Sequence, residues 1–177
     1  MPRLAVIDPE TTTGRAKEIF EGPLKGKHLN IFKGMANAPA LLDAYLGIGG
    51  ALKNASLTPA EQEVIQLAVV EAAGCDYCTA AHTVIGKNSG LTDEQAIGAR
   101  RGSIEGDTRL DAIARFAKAL YEKRGNVSHD DLTAFRNAGF NDQAIAEAVA
   151  VYAQATLTST FNHVNETEVD FPAPPAI

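Results

Sequence analysis

The sequence predicts an all-α, single-domain helical bundle of about seven to eight helices. Thirty of the 177 residues are Ala and none is Trp, which favours closely packed helices over aromatic-rich strands. Helix start signals recur along the chain, and no segment shows the apolar–polar alternation of a half-buried strand. We therefore expect one domain over residues 1–177, a length that buries its own core without disulfide staples.

Capping residues mark the predicted helices. Thr58 and Pro59 begin a helix in which Glu61 is spaced to form a hydrogen bond back to the cap residue. This helix is almost uniformly apolar as far as Gly74, so we expect it to be the most buried element. The other predicted helices are 9–20, 38–53, 75–88 and 142–164, with three more after caps at Thr92, Asp107 and Ser128. The proline-rich tail, 168–177, cannot continue a helix and is expected to run extended over the surface.

The charge of the chain restricts its partners. Sixteen Lys and Arg against 22 Asp and Glu give a formal net charge of −6, which repels phosphate backbones and anionic lipids. We therefore expect neither nucleic acid nor a membrane as a partner. No apolar run approaches the roughly 20 residues of a membrane span, and Asp8 interrupts the N-terminal segment before a signal sequence forms. These features predict a cytoplasmic protein.

Two cysteines supply the main chemical signal. In a reducing compartment such a pair is rarely a structural disulfide, so Cys75 and Cys78 point to redox chemistry or metal binding. With His82 they form a C-x2-C-x3-H cluster at a helix start, where residues three and four apart share one face. Gly74 lets Cys75 occupy the irregular first turn, from which the two sulfurs can bond and separate.

The same position predicts a reactive thiol. An unperturbed thiol is only about 3% thiolate at pH 7, but the free amides of a helix start and a neighbouring imidazole both favour the ionised form. His82 lies one turn beyond Cys78, where it can take or return a proton. A carboxylate is expected to orient it. Glu63 and Glu71 on the preceding helix are both flanked by apolar residues, and the helical pattern does not choose between them.

Several other interpretations compete with redox catalysis. Zinc could take Cys75, Cys78 and His82, but structural zinc normally has four ligands, and the remaining histidines are distant in sequence. A thioredoxin-like protein would show a βαβ pattern, which is missing. A buried structural pair and a redox sensor that passes its state to a partner both stay open. We expect no metal and no cofactor.

The segment 57–91 resembles the carboxymuconolactone decarboxylase superfamily, in particular its alkylhydroperoxidase D-like branch. The signature of that branch is a Glu, eleven residues, C-x-x-C and a His four after the second Cys. Glu63, Cys75, Cys78 and His82 match it in type and spacing. The resemblance implies an all-helical fold of this type over residues 1–177, assembled as a trimer or hexamer. The uniformly apolar helices also favour a homo-oligomer.

The activity that the resemblance implies is a thiol-dependent peroxidase acting on small alkyl hydroperoxides. Cys78 would attack the peroxide and become a sulfenic acid, Cys75 would close the disulfide, and an external lipoyl- or thioredoxin-like dithiol would reopen it. Glu63 would set His82, which would deprotonate Cys78. Well-studied relatives carry His where this chain has Tyr77, so Tyr77 is predicted to be a packing residue. The alternative functions are a redox-sensing or interaction protein without turnover and a carboxymuconolactone decarboxylase-like lyase.

Overall fold

The computed structural model describes residues 1–177 and contains nine α-helices and no strand, which confirms the all-α prediction. The helices are α1 (Gly14–Glu21), α2 (Asn30–Met35), α3 (Pro39–Leu52), α4 (Pro59–Ala72), α5 (Asp76–Asn88), α6 (Asp93–Arg101), α7 (Thr108–Glu122), α8 (His129–Asn137) and α9 (Asp142–Asn165). The helix beyond the expected seven or eight is α2. Its six residues are too few to show a helical period in the sequence.

Helix α4 forms the centre of the bundle and packs against α5, α6, α7 and α9. Val64, Leu67, Val69 and Val70 are completely buried, although they point in different directions around the helix axis. A helix that is apolar on every side is stable only when other elements surround it. The prediction that this is the most buried element is confirmed.

The predicted capping interactions are present. Thr58 accepts a hydrogen bond from the Glu61 amide, and the Glu61 carboxylate accepts one from the Thr58 amide. Equivalent reciprocal caps begin α6 at Thr92 and α8 at Ser128, and the Asp107 side chain caps α7. Each cap satisfies backbone N–H groups that have no partner within the helix, a contribution of about 1 kcal/mol.

The predicted start of the first helix at Pro9 is wrong, because α1 begins only at Gly14. The Asp8 carboxylate accepts hydrogen bonds from the Glu10 amide, at 2.9 Å, and from the Thr11 hydroxyl, at 3.2 Å. Such local side-chain bonds give the backbone an alternative to the helix. The segment after Pro9 is therefore a turn.

Two features of the fold shape the region around the cysteines. Gly74 has φ +68°, a left-handed conformation that ends the α4 segment and turns the chain into α5 with Cys75 as N-cap. Residues 167–177 are not helical; Phe171 contacts Tyr77, and the Pro175 carbonyl contacts Arg100.

None of the nine helices is both long and apolar enough to span a bilayer.

Candidate active site

Cys75 and Cys78 are joined by a disulfide at the first turn of α5, with their Cα atoms 5.3 Å apart. Cys75 is the N-cap residue, and its sulfur accepts a hydrogen bond from the Cys78 amide at 3.2 Å. Both side chains are buried. The positive end of the helix dipole and a donating backbone amide therefore meet at this pair, an environment that stabilises negative charge on sulfur.

Helix α9 brings a third polar group to the disulfide. The Asn162 amide nitrogen, Nδ2, donates to the Cys78 sulfur at 3.2 Å and lies 4.0 Å from the Cys75 sulfur. Asn162 is 4% exposed, and its Oδ1 is buried without a hydrogen-bond partner. The sequence gives no signal for this contact, because Asn162 lies 84 residues from Cys78 and belongs to no recognisable motif with it.

The structure brings Glu63 and His82 together. Glu63 Oε2 lies 2.8 Å from His82 Nδ1, and the two side chains are 13% and 15% exposed. Helices α4 and α5 pack closely beside this pair: a Cβ at Gly86 would be in ordinary van der Waals contact with the Glu63 Cβ, at 3.6 Å. Glu71 instead accepts a hydrogen bond from Arg100 Nε at 2.8 Å. Of the two candidate carboxylates, Glu63 contacts the imidazole.

His82 is oriented by Glu63 and makes no hydrogen bond to either sulfur in the disulfide form. Its second ring nitrogen, Nε2, is free of the carboxylate contact. His82 follows Cys78 by four residues on α5, so the two side chains share one face of the helix. Glu63 also acts on Tyr45 of α3: burial, and then the negative charge of Glu63, raise the pKa of Tyr45. The arrangement suits an imidazole held for proton transfer.

Tyr77 occupies the position where the resemblance leads us to expect His. Its ring is buried and packs edge-on against Phe171, with ring centroids 5.7 Å apart. Its hydroxyl accepts a hydrogen bond from the Ile31 amide at 3.4 Å. Burial, and then the contact with Asp170, raise the pKa of Tyr77, so the phenol stays protonated at neutral pH. These contacts are those of the predicted packing residue.

An open cavity of about 400 Å³ lies beside the disulfide. Its lining includes Cys75, Asp76, Asn162, His163 and Glu166, but Cys78 does not reach it. Of the two cysteines, only Cys75 lines this cavity. No cluster of three or more His, Cys, Asp or Glu side chains is arranged to hold a metal ion.

Comparison with known families identifies the central part of the chain. Residues 39–119, which hold the disulfide and the Glu63–His82 pair, match the sequence profile of the carboxymuconolactone decarboxylase family. The predicted family resemblance is confirmed. No functionally curated protein sequence matches the chain.

Solved structures with the same fold extend over nearly the whole chain. The alkylhydroperoxidase core of an uncharacterised peroxidase-related protein from Ralstonia eutropha JMP134 has a TM-score of 0.83 and 23% identity, covering 96% of this chain and 92% of that one. An uncharacterised peroxidase-related protein from Silicibacter sp. TM1040 has a TM-score of 0.79 and 20% identity, covering 94% and 89%. The fold is thus alkylhydroperoxidase D-like.

A third similar structure belongs to a protein with a different activity. It is a cysteine-to-alanine variant of the debrominase Bmp8 in complex with 2,3,4-tribromopyrrole, with a TM-score of 0.76 and 16% identity, covering 96% of this chain and 94% of that one. The fold therefore occurs in proteins named for different reactions. The fold alone does not select the reaction of this chain, which has to be argued from its residues.

Proposed function

We propose that the protein is a thiol-dependent peroxidase that reduces small hydroperoxides through a sulfenic acid and disulfide cycle at Cys75 and Cys78. The observation that supports it is a disulfide at a helix N-terminus, one turn from an imidazole held by a carboxylate. A disulfide in this position is poised for exchange, because the helix start stabilises the thiolate that forms when the bond opens. A decarboxylation transfers no electrons to sulfur, so the pair has no part in the lyase alternative.

In the first step, one oxygen of the peroxide is transferred to the Cys78 sulfur. His82 takes the proton of the Cys78 thiol, and the thiolate attacks one peroxide oxygen. The S–O bond forms as the O–O bond breaks, sulfur is oxidised by two electrons, and the departing alkoxide takes the proton back from His82 and leaves as the alcohol. Glu63 holds the imidazole and stabilises its protonated form during this transfer.

The second step closes the disulfide. The Cys75 thiol loses its proton and its sulfur attacks the sulfenic sulfur of Cys78, forming the S–S bond as the S–O bond breaks and water leaves. The Cys78 amide that donates to the Cys75 sulfur favours the Cys75 thiolate needed here. An external dithiol of the lipoyl or thioredoxin class then supplies two electrons and two protons and becomes a disulfide itself. The proposed route for that dithiol is the cavity that Cys75 lines.

We further propose that the protein acts as a homo-oligomer, a trimer or hexamer, in the cytoplasm. Helix α3 supports the assembly, since Asp43 is its only charged residue and yet Leu41, Leu46 and Ile48 are only half-buried. A second copy that covers this face would bury apolar area worth about 25 cal/mol per Å². Sedimentation at micromolar concentration tests it, and a monomer would contradict it.

Peroxide turnover tests the activity. Reduced protein is mixed with tert-butyl hydroperoxide and an excess of dihydrolipoamide, and peroxide loss and tert-butanol formation are followed. We expect many equivalents to be consumed by the parent protein and none by Cys78→Ser. With no dithiol present, Cys75→Ser should consume about one equivalent and leave a sulfenic acid that dimedone traps, because the resolving sulfur is missing and no external thiol can replace it.

The same assay separates the alternatives. A redox sensor would consume one equivalent and stop even with excess dithiol, which would contradict the proposed turnover. Peroxide loss at the parent rate in Cys78→Ser would contradict the role of Cys78. Because one protein with the same fold is a debrominase, a brominated pyrrole is the appropriate counter-substrate. Debromination that depends on Cys78 in the absence of peroxide reduction would assign the site to that reaction instead.

A further inference from the structure

The contact between Asn162 and the disulfide indicates a role that the signature residues do not account for. We infer that Asn162 is a catalytic residue whose side-chain N–H stabilises the Cys78 thiolate once the disulfide is opened. The inference rests on the proposed function in taking Cys78 as the attacking sulfur. Residues of α9 lie far from the C-x-x-C segment in sequence, and the fold alone brings Asn162 to it.

The chemistry of the disulfide fixes the direction of this hydrogen bond. A disulfide sulfur carries no hydrogen and can only accept, so the Asn162 group that faces it at 3.2 Å is the NH₂ group and not the carbonyl. A neutral disulfide is a weak acceptor, whereas a thiolate is anionic. The hydrogen bond therefore strengthens when the bond opens and Cys78 carries the negative charge.

Burial makes the contact effective. Asn162 and Cys78 are 4% and 2% exposed, so water competes little for the sulfur and the local dielectric constant is low. No Lys or Arg side chain hydrogen-bonds to either sulfur. The nearby titratable groups are His82 on α5 with its partner Glu63 on α4, and those lining the adjoining cavity, which are Asp76, Tyr77, His163 and Glu166. Asn162 is the only side chain that donates a hydrogen bond to the Cys78 sulfur.

The other end of the same amide supports a functional explanation. Asn162 Oδ1 is buried and has no hydrogen-bond partner. Such an unpaired acceptor destabilises the folded protein, and an apolar residue would remove the cost. The N–H contact with sulfur explains why an amide is present here. In the oxidised form, Asn162 Oδ1 has no hydrogen-bond donor. Reduction of the disulfide adds S–H groups to the site, and these are donors.

Asn165 provides a matched control. It lies three residues further along α9, is also buried, and makes ordinary structural hydrogen bonds: its Oδ1 accepts from the Leu4 amide at 3.0 Å, and its Nδ2 donates to the Thr167 hydroxyl at 2.9 Å. It contacts neither sulfur. The same substitution at the two positions therefore separates a change at the sulfur from a general change in α9.

The experiment measures Cys78 ionisation directly. In a Cys75→Ser background, the rate of Cys78 alkylation by iodoacetamide is recorded against pH. For Asn162→Leu we expect the midpoint of the profile to rise by about one to two pH units, since a hydrogen bond to a charged group is worth that much. Asn162→Asp, nearly isosteric, should raise the midpoint further, because it replaces the donor by negative charge. Asn165→Asp should shift it much less.

The outcomes divide clearly. An unchanged midpoint in Asn162→Leu, or equal shifts in Asn162→Asp and Asn165→Asp, would overturn the inference. If Asn162→Leu does not fold, as judged by circular dichroism, the comparison of the two Asp variants decides. Alkylation requires no peroxide, so a raised midpoint in a protein that reduces no peroxide would preserve the role of Asn162 and remove the proposed function. Turnover with an unchanged midpoint would do the reverse.

Discussion

The substitution Glu63→Gln tests whether the carboxylate that contacts His82 controls proton transfer. Gln has nearly the same shape as Glu and its carbonyl can still accept from His82 Nδ1, so the orientation of the ring is preserved. The negative charge is lost. We therefore expect the imidazole to become a weaker base, and the pH at which Cys78 reacts with peroxide to rise.

The 2.8 Å contact between Glu63 and His82 sets an upper limit on the size of the effect. Opposite unit charges at 2.8 Å attract by about 6 kcal/mol at an effective dielectric constant of about 20. Desolvation of the pair and spreading of both charges reduce this, so we use the roughly 1.5–3 kcal/mol measured for hydrogen bonds to charged groups. At about 1.4 kcal/mol for each factor of ten, peroxide reduction at pH 7 should fall about ten- to a hundredfold.

Stopped-flow measurement of peroxide reduction from pH 5 to 9 is the appropriate assay, with Glu71→Gln as the control. Glu71 lies on the same helix but pairs with Arg100 and not with His82, so its substitution should leave the pH profile unchanged. A Glu63→Gln profile that coincides with that of the parent protein would remove Glu63 from the mechanism. An equal loss in both variants would indicate a general effect of charge on α4.

Two further predictions concern stability. Burial opposes ionisation of Glu147, but hydrogen bonds from Ser56 and neighbouring residues outweigh burial and lower the pKa of Glu147 from 4.5 to about 2. The contribution of Glu147 to the stability of the folded protein is therefore present above pH 4.5 and is lost as the pH falls toward 2. Glu147→Gln should reduce the free energy of unfolding in urea by about 1–2 kcal/mol at pH 7 and by less at pH 3, and an equal loss at both would contradict this. Gly98→Ala should lower the free energy of unfolding by about 1–3 kcal/mol, because the new Cβ would lie 2.8 Å from the Ser103 carbonyl oxygen. The control is Gly50→Ala at an exposed helical position, which should raise the free energy of unfolding by about 0.5–1 kcal/mol. Equal melting temperatures of the two variants would refute the close approach at Gly98.

The parts of the structure that the sequence predicts are those governed by local interactions. Capping at Thr58, Thr92 and Ser128 depends on residues within one helical turn, so the pattern in the chain and the hydrogen bonds in the structure agree. The reach of Cys75 to Cys78 is equally local, because both belong to the first turn of one helix. The apolar character of α4 predicted its central position for a similar reason, since no partly exposed site would suit it.

The parts that the sequence does not predict depend on packing between distant elements. Glu63 and Glu71 have similar neighbours in sequence, and only the packing of α5 against α4 and the position of Arg100 decide which one contacts His82. Asn162 reaches Cys78 because α9 packs against α5 near its start, and no local sequence pattern predicts this packing. The sequence does not predict the turn at Asp8, because Pro9 at the start of a helical pattern indicates a helix, and the competing hydrogen bond to the Asp8 side chain is seen only in the structure.

The decisive measurement is the pH dependence of alkylation of each thiol, recorded separately in the Cys75→Ser and Cys78→Ser proteins. Ionisation of Cys78 near neutral pH is the condition for everything proposed at this site. We predict that Cys78 reaches half its maximal alkylation rate below about pH 7, against about 8.5 for an ordinary thiol. A midpoint for Cys78 near the ordinary value would contradict it.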